Sequence, residues 1–285
     1  MHRLKSITCL IGLTLWLGSC KTIAPPRVTQ TSSPLSRTDY LALGIPSQAA
    51  TTDPGNYLIT RPQYVLSYSR DRGIANWVSW HLGQASKGDA PRTDAFRPDQ
   101  SLPAGWYAVR PSDYTNTGFD RGHLCPSDDR DATPEDNAAT FLLTNIVPQA
   151  PRHNREIWRT LEEYERRLMD AGNDVYIIAG ASGTGGTGQN GFATTIAGGK
   201  LTVPANLWKI LVVVPKGADT SFEITTATRV IAVNIPNNQS AADKPWRAYV
   251  TSIDALETLT GYDFLSNVPT DVQSIIEARF DGGDS

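Results

Sequence analysis

The chain has 285 residues with 40% hydrophobic side chains and a formal net charge of −3, long enough for one sizeable core beyond its N-terminal segments. That charge argues against an overall basic surface that coats nucleic acid, so any phosphate-binding cleft should be a local positive patch on an acidic protein. Of its three cysteines, two lie in the first twenty residues, so past that segment Cys125 stands alone and an intrachain disulfide is excluded.

Residues 1–20 begin with His2, Arg3 and Lys5 and continue into an apolar run, Ile7 to Leu17, too short to span a bilayer. The segment reads as an export signal. Its ending, Leu17-Gly18-Ser19-Cys20, resembles a bacterial lipoprotein box, which would make Cys20 a lipid anchor; an ordinary secretory signal is the alternative. The chain is therefore expected to be secreted or periplasmic. Loss of residues 1–20 lowers the basic count from 26 to 24 against 29 acids, a net charge of −5. Residues 21–52 are rich in Ser, Thr, Pro and Ala and are expected to form a disordered linker. Residues 53–285 then form the folded domain.

Strand-like runs follow at Tyr64 to Tyr68, Asn76 to Leu82, Trp106 to Val109, Val175 to Ala179, Leu207 to Val214, Val230 to Val233 and Arg247 to Thr251. Helices interrupt them without strict alternation, which argues against a doubly wound parallel sheet. The expected fold class is α/β (α+β), with a largely antiparallel central sheet flanked by helices. Thr133-Pro134-Glu135-Asp136 carries a helix cap with proline at the first helical position. Thr251 to Asp254 and Thr270 to Gln273 repeat the capping pattern, and Gly261 should stop the first of those C-terminal helices.

The chemistry concentrates between Phe119 and Arg166. Asp120-Arg121-Gly122-His123 puts a histidine, the one side chain with an ordinary pKa near neutrality, beside an arginine and an aspartate. About thirty residues later comes Pro151 to Glu162, expected to open a helix from about Asn154 to Ala171. On it Ile157, Leu161, Tyr164 and Leu168 form an apolar stripe, while Arg155, Glu162 and Arg166 share an adjoining face. A base, an amide oxygen suited to a hard divalent cation and several guanidinium forks together fit phosphodiester hydrolysis. Without the histidine motif, that polar face would read as solvent-facing i, i+4 ion pairs.

These residues resemble the DNA/RNA non-specific endonucleases, a family of ββα-metal or His-Me finger nucleases that includes endonuclease G and secreted cyanobacterial enzymes. The resemblance rests on Asp120 to His123, on Thr144-Asn145-Ile146-Val147-Pro148-Gln149, and on the spacing of Asn154, Trp158, Leu161 and Glu162. It runs from about Tyr57 to Tyr262 and takes in Phe96-Arg97-Pro98-Asp99 and Gly261-Tyr262-Asp263-Phe264. It implies a ββα-metal finger, with His123 as general base and Mg2+, replaceable by Mn2+, bound directly by Asn154. Glu162 would hold the ion's water shell. Arg92, Arg121 and Arg166 would contact the phosphate, with Arg92 and Arg121 acting in catalysis. Asn145 belongs to the substrate-binding set and helps position the histidine loop, while Asp120 braces its turn. Cleavage of both DNA and RNA to 5′-phosphate and 3′-hydroxyl ends is implied. A further reading keeps the chemistry and changes the target, as in a toxin-like nuclease controlled by a protein inhibitor. The alternative is a surface-tethered protein that captures nucleic acid without cutting it.

His81, His153 and Cys125 are expected to be structural, and Arg97 the more structural arginine of its loop. Gly183 to Gly188 matches a dinucleotide fingerprint but lacks its helix and acid, so it should be a glycine-rich loop. Asp128, Asp129 and Asp131 lack calcium-loop spacing and read as a solvated turn.

Overall fold

The computed structural model describes residues 35–36, 39–217 and 221–281; the expected signal, the Cys20 anchor and most of the linker lie outside them. The linker's last stretch is a correction. Ala42 and Leu43 are 3% and 4% exposed, and Asn267 donates its backbone N–H to the Leu43 carbonyl at 3.2 Å. The few apolar residues there suffice to pack onto the C-terminal segment.

Strands β1 (Tyr57–Thr60), β2 (Val65–Ser69) and β3 (Ile74–Leu82) form a meander. Next come β4 (Asp120–His123), α1 (Pro134–Thr140), β5 (Ile146–Gln149) and α2 (Arg159–Asp170). The chain continues through β6 (Asn173–Ser182), β7 (Gly186–Gly188), β8 (Gly191–Ala193), β9 (Asn206–Pro215), β10 (Arg229–Pro236) and β11 (Val250–Thr251). Helices α3 (Ile253–Thr260) and α4 (Thr270–Ile276) follow.

The central sheet has seven strands in the order β11-β10-β9-β6-β3-β2-β1, and every neighbouring pair is antiparallel. Alternation along β9 shows why both of its faces are apolar, apart from Asn206 and Lys209. Leu207, Leu211 and Val213 pack on the α2 face with Leu161, Tyr164 and Leu168, whereas Trp208, Ile210 and Val212 pack on the opposite face with Ile253, Leu256 and Ile276. Helices thus cover both faces, and each side of the strand removes its own apolar surface from water. Gly180 of β6 is glycine because a Cβ there would lie 2.2 Å from the Trp208 ring.

Several local expectations hold on inspection of the caps. Thr133 Oγ1 accepts the Asp136 N–H at 3.1 Å, and Gly261 ends α3 in the left-handed conformation, φ 72°. Others shift. Ser252, not Thr251, caps α3, its Oγ accepting the Ala255 N–H at 3.1 Å, and α4 starts after Pro269 with no side-chain cap. Trp106 to Val109 is not a strand; Gly105 takes φ +83° just before it and Pro111 begins a 3-10 turn just after. Pro245 similarly opens a 3-10 turn, Trp246–Tyr249, which leaves only Val250–Thr251 of the next expected strand. The glycine run forms the β7–β8 hairpin, with Gly183 at φ 65° and Gly185 at φ 101°.

Candidate active site

β4 and β5 pair antiparallel in the register Asp120↔Gln149 to His123↔Ile146, and the chain then turns into the helical segment that carries α2. Two strands and a helix result. The loop that follows His123 is held from below by Asn145, whose Oδ1 accepts the Cys125 N–H at 3.0 Å. Its Nδ2 donates to the Cys125 and Thr140 carbonyls at 2.8 and 2.9 Å. Asn145 is fully buried, so its place in the substrate-binding set is corrected: with every polar atom of the amide committed internally, it positions the histidine loop. Gly122 is required by close approach, since a Cβ would sit 1.9 Å from Gln149 Oε1.

The helical segment departs from the expected single helix in a way that matters. His153–Trp158 winds as a π-helix before α2 begins at Arg159. In a regular α-helix, eight residues would set Asn154 and Glu162 about 80° apart. The wider π winding absorbs that excess, and both residues line one cleft. Ile157, Leu161, Tyr164 and Leu168 are buried as the stripe requires.

That cleft, about 310 Å³, is lined by Arg92, Arg121, His123, Ser127, Asp128, Asn154, Arg155, Arg159, Glu162 and Arg166, among others. Residues separated by more than seventy positions in sequence meet there, and five of them are arginines. A second hollow of about 290 Å³ shares Arg92, Arg121, Asn154 and Arg155 and is lined as well by Phe96, Tyr114 and Phe119.

His123 is 8% exposed, and its Nε2 has no hydrogen-bond partner among the described residues. Burial, reinforced by Arg92 and Arg121, lowers its pKa to about 3, so the imidazole is neutral and able to accept a proton. Two rings that sequence reading gave no role hold it in place. Phe96 lies 5.3 Å and Phe141 4.9 Å from the imidazole, while the Arg121 guanidinium sits 4.4 Å over Phe96 and that of Arg92 5.1 Å over Phe141. Arg92 also donates to Ser127 Oγ at 2.7 Å and to Asp94 Oδ1 at 2.8 Å. The signal for Phe96 was its place beside Arg97-Pro98-Asp99; Phe141 and Ser127 carry no motif.

Asp120 braces Asn154. Its Oδ2 accepts from Asn154 Nδ2 at 2.9 Å and from Arg155 Nε at 2.8 Å, and Oδ1 accepts from Arg155 at 2.6 Å. The Asn154 amide therefore keeps its carbonyl oxygen for a ligand. Glu162, the other oxygen donor, is part-buried, and burial pushes its carboxyl up to about 8, with Lys209 pulling the other way. An amide oxygen and a carboxyl that makes no direct ion pair among the described residues fit a hard divalent ion that retains most of its water.

Of the acidic turn only Asp128 is exposed, and the expectation of a solvated turn is corrected for the other two acids. Asp129 is fully buried, accepts the Trp80 Nε1–H at 3.0 Å and pairs with Arg166 at 3.2 Å, while Asp131 pairs with Lys87 at 2.5 Å. Beneath them Lys209 and Glu165 form a fully buried ion pair at 2.8 Å, with the ammonium over Trp158 and Trp80. His153 is fully buried, 2.6 Å from Gln149 Nε2, and Arg97 donates to the Ala138 carbonyl at 2.6 Å; both are structural. Burial raises the Cys125 thiol pKa, which leaves it inert.

A histidine held neutral on the first strand of a β-finger lines one cleft with an asparagine and a glutamate from the following helix and five arginines, an arrangement chemically suited to phosphodiester hydrolysis. The sequence agrees: residues 44–271 match the DNA/RNA non-specific endonuclease family. The chain is 47% identical over 277 residues to a nuclease of Nostoc sp., covering 96% of this chain and 97% of that one. It is 30% identical over 218 residues to human mitochondrial endonuclease G, 74% of this chain and 70% of that one. EndoG in a crystal structure of the EndoG/EndoGI complex shares the fold, with a TM-score of 0.67 at 24% identity over 84% of this chain and 95% of that chain. The chain belongs to the DNA/RNA non-specific endonuclease family, and is thereby a hydrolase of the nuclease class.

Proposed function

We propose that the chain is a divalent-metal-dependent endonuclease that cuts both DNA and RNA, using His123 as general base and Asn154 and Glu162 as the metal-side residues. The observation that carries this reading is the single cleft containing His123, Asn154, Glu162, Arg92, Arg121 and Arg166. Neutral His123, with Nε2 unpartnered, takes the proton of the attacking water. Arg92 and Arg121, fixed against Phe141 and Phe96, grip the scissile phosphate on either side of that imidazole. Arg166, held by Asp129, supplies further positive charge at the helix side. When bound, Mg2+, or Mn2+ in its place, neutralises phosphate charge and supplies an ordered water shell at Asn154 and Glu162.

Contacts centred on phosphate make cleavage indifferent to base sequence and to the sugar. The aromatic hollow lined by Phe96, Tyr114 and Phe119 accommodates the flanking nucleotide by stacking rather than by reading its edges. Products carry 5′-phosphate and 3′-hydroxyl ends in this reading. Export through residues 1–20, with Cys20 as a lipid anchor, and control by an inhibitor protein that blocks the open cleft complete it.

Cleavage of plasmid DNA by the Asn154→Ala variant over a range of Mg2+ and Mn2+ tests the metal side. Activity lost at low metal and partly restored at high metal supports the assignment; wild-type metal dependence in the variant overturns it.

A further inference from the structure

A second group of carboxylates lies across the sheet from the cleft. Asp254 and Glu257 are three residues apart on α3 and so share a face, while Glu277 follows directly after α4. Asp254 donates its backbone N–H to the Glu277 carbonyl at 3.2 Å, which fixes Glu277 beside the first turn of α3. Each of the three side chains offers one oxygen, and these oxygens lie within 4.8 Å of one another.

Crowding acids on a surface is ordinary, but Glu277 is not on the surface. It is 6% exposed, and its Oε1 has no hydrogen-bond partner among the described residues. A buried carboxylate with an orphaned oxygen is costly unless a proton or a cation meets it. None of the three pairs with Lys or Arg among the described residues. Arg279, two positions beyond Glu277, turns instead to the carbonyls of Thr226 and Thr228. Glu257 Oε1 accepts the Phe264 N–H at 2.7 Å, which steadies that carboxylate and leaves its second oxygen for a ligand.

We propose that Asp254, Glu257 and Glu277 form a second divalent-cation site, of calcium type, that ties α3 to the end of α4. Calcium binds oxygen at roughly 2.3–2.6 Å, so two of its ligands can stand up to about 5 Å apart. A spacing of 4.8 Å or less lets one ion touch all three oxygens. Magnesium suits the site less well, because it keeps its waters and prefers one or two carboxylates. Exposed Asp254 leaves room for water to complete the coordination. Burial, with Glu257, Asp254 and Asp263 nearby, pushes the Glu277 carboxyl up to about 8, so without a cation the trio retains a proton.

The test uses the full chain carrying Asn154→Ala, which weakens metal binding in the cleft, titrated with calcium alone by calorimetry and followed by thermal melting in EDTA or excess calcium. One calcium per chain is expected, with a melting temperature raised by several degrees. Adding Glu277→Gln should remove both the bound ion and the shift, while Glu277→Gln in the wild-type chain keeps its Mg2+-dependent cleavage. If Glu277→Gln fails to fold, exposed Asp254→Asn takes its place with the same expected loss. No calcium binding by Asn154→Ala, together with a Glu277→Gln chain that is more stable in EDTA, means that the trio holds a proton and overturns the proposal. Calcium binding that survives both substitutions puts the ion elsewhere and overturns it too.

Discussion

Asn154 donates from Nδ2 to Asp120 Oδ2 at 2.9 Å, and this bond sets which end of the amide faces the cleft. Three residues before the histidine, Asp120 thus orients Asn154 from the strand that also carries His123. Asp120→Ala should free the Asn154 amide and the Arg155 guanidinium together. Partners of this kind typically account for about 10–100-fold in metal affinity or activity. The Mg2+ concentration that half-saturates plasmid cleavage should rise by that order, with a smaller change in the rate at saturating metal. An unchanged metal requirement would mean that Asp120 only shapes the turn.

Because burial and two arginines hold His123 near a pKa of about 3, its base form is fully present throughout the neutral range. The acid limb of kcat/KM, which reports the free enzyme, should therefore show no step near pH 6.5. Arg121→Gln and Arg92→Gln remove the neighbouring charges and should raise the pKa of the base, although burial keeps it below the ordinary value. A wild-type inflection near 6.5 would contradict the enclosed site.

The same depressed pKa makes a stability statement. A histidine whose folded pKa lies below its unfolded value binds its proton preferentially in the unfolded chain, so stability falls as pH drops from about 6.5 towards 3. His153, fully buried and also lowered to about 3, adds to the effect. Raised carboxyls at Glu162 and Glu277 pull the other way over the same range, so the effect is read as a difference: the stability of wild type relative to His153→Gln should fall between pH 7 and 4 in urea unfolding.

Lys209 of β9 and Glu165 of α2 form a fully buried pair between helix and sheet, within electrostatic reach of Glu162. Removing one member leaves the other charge unpaired, at about 3–5 kcal/mol. Lys209→Met should lose stability of that order in urea unfolding, and Lys209→Met with Glu165→Leu should regain most of it. Equal losses in the single and double variants would show that packing, not the unpaired charge, decides the cost.

How much of this was readable in the chain follows from the range of each interaction. The antiparallel sheet and the caps at Thr133 and Gly261 were legible because they depend on local pattern and backbone conformation. That His123, Asn154 and Glu162 share a cleft with Arg92, Arg121 and Arg166 was legible from the motif spacing of the first three and from the family resemblance for the arginines. What escaped was long-range. Phe141 cradles His123 from a position with no periodic signal, and Lys209 sits in an apolar strand whose partner, Glu165, is on a distant helix. Asp129 looked solvated because nothing local shows that Trp80 and Arg166 close over it. The π turn at His153–Trp158 escaped for a different reason: its residues suit an α-helix, and the finger's geometry imposes the wider winding.

In the proposed function one cleft cuts phosphodiester backbones with His123 as base. Cleavage of supercoiled plasmid and of single-stranded RNA, by wild type and by His123→Ala, with Mg2+ or with EDTA, addresses it directly. The expected result is loss of both substrates with Mg2+, none with EDTA, and a fall of at least about 10²-fold in His123→Ala, the usual range for a general base. Wild-type binding of both nucleic acids without cleavage under any divalent metal would contradict the account and leave a protein that captures nucleic acid without cutting it.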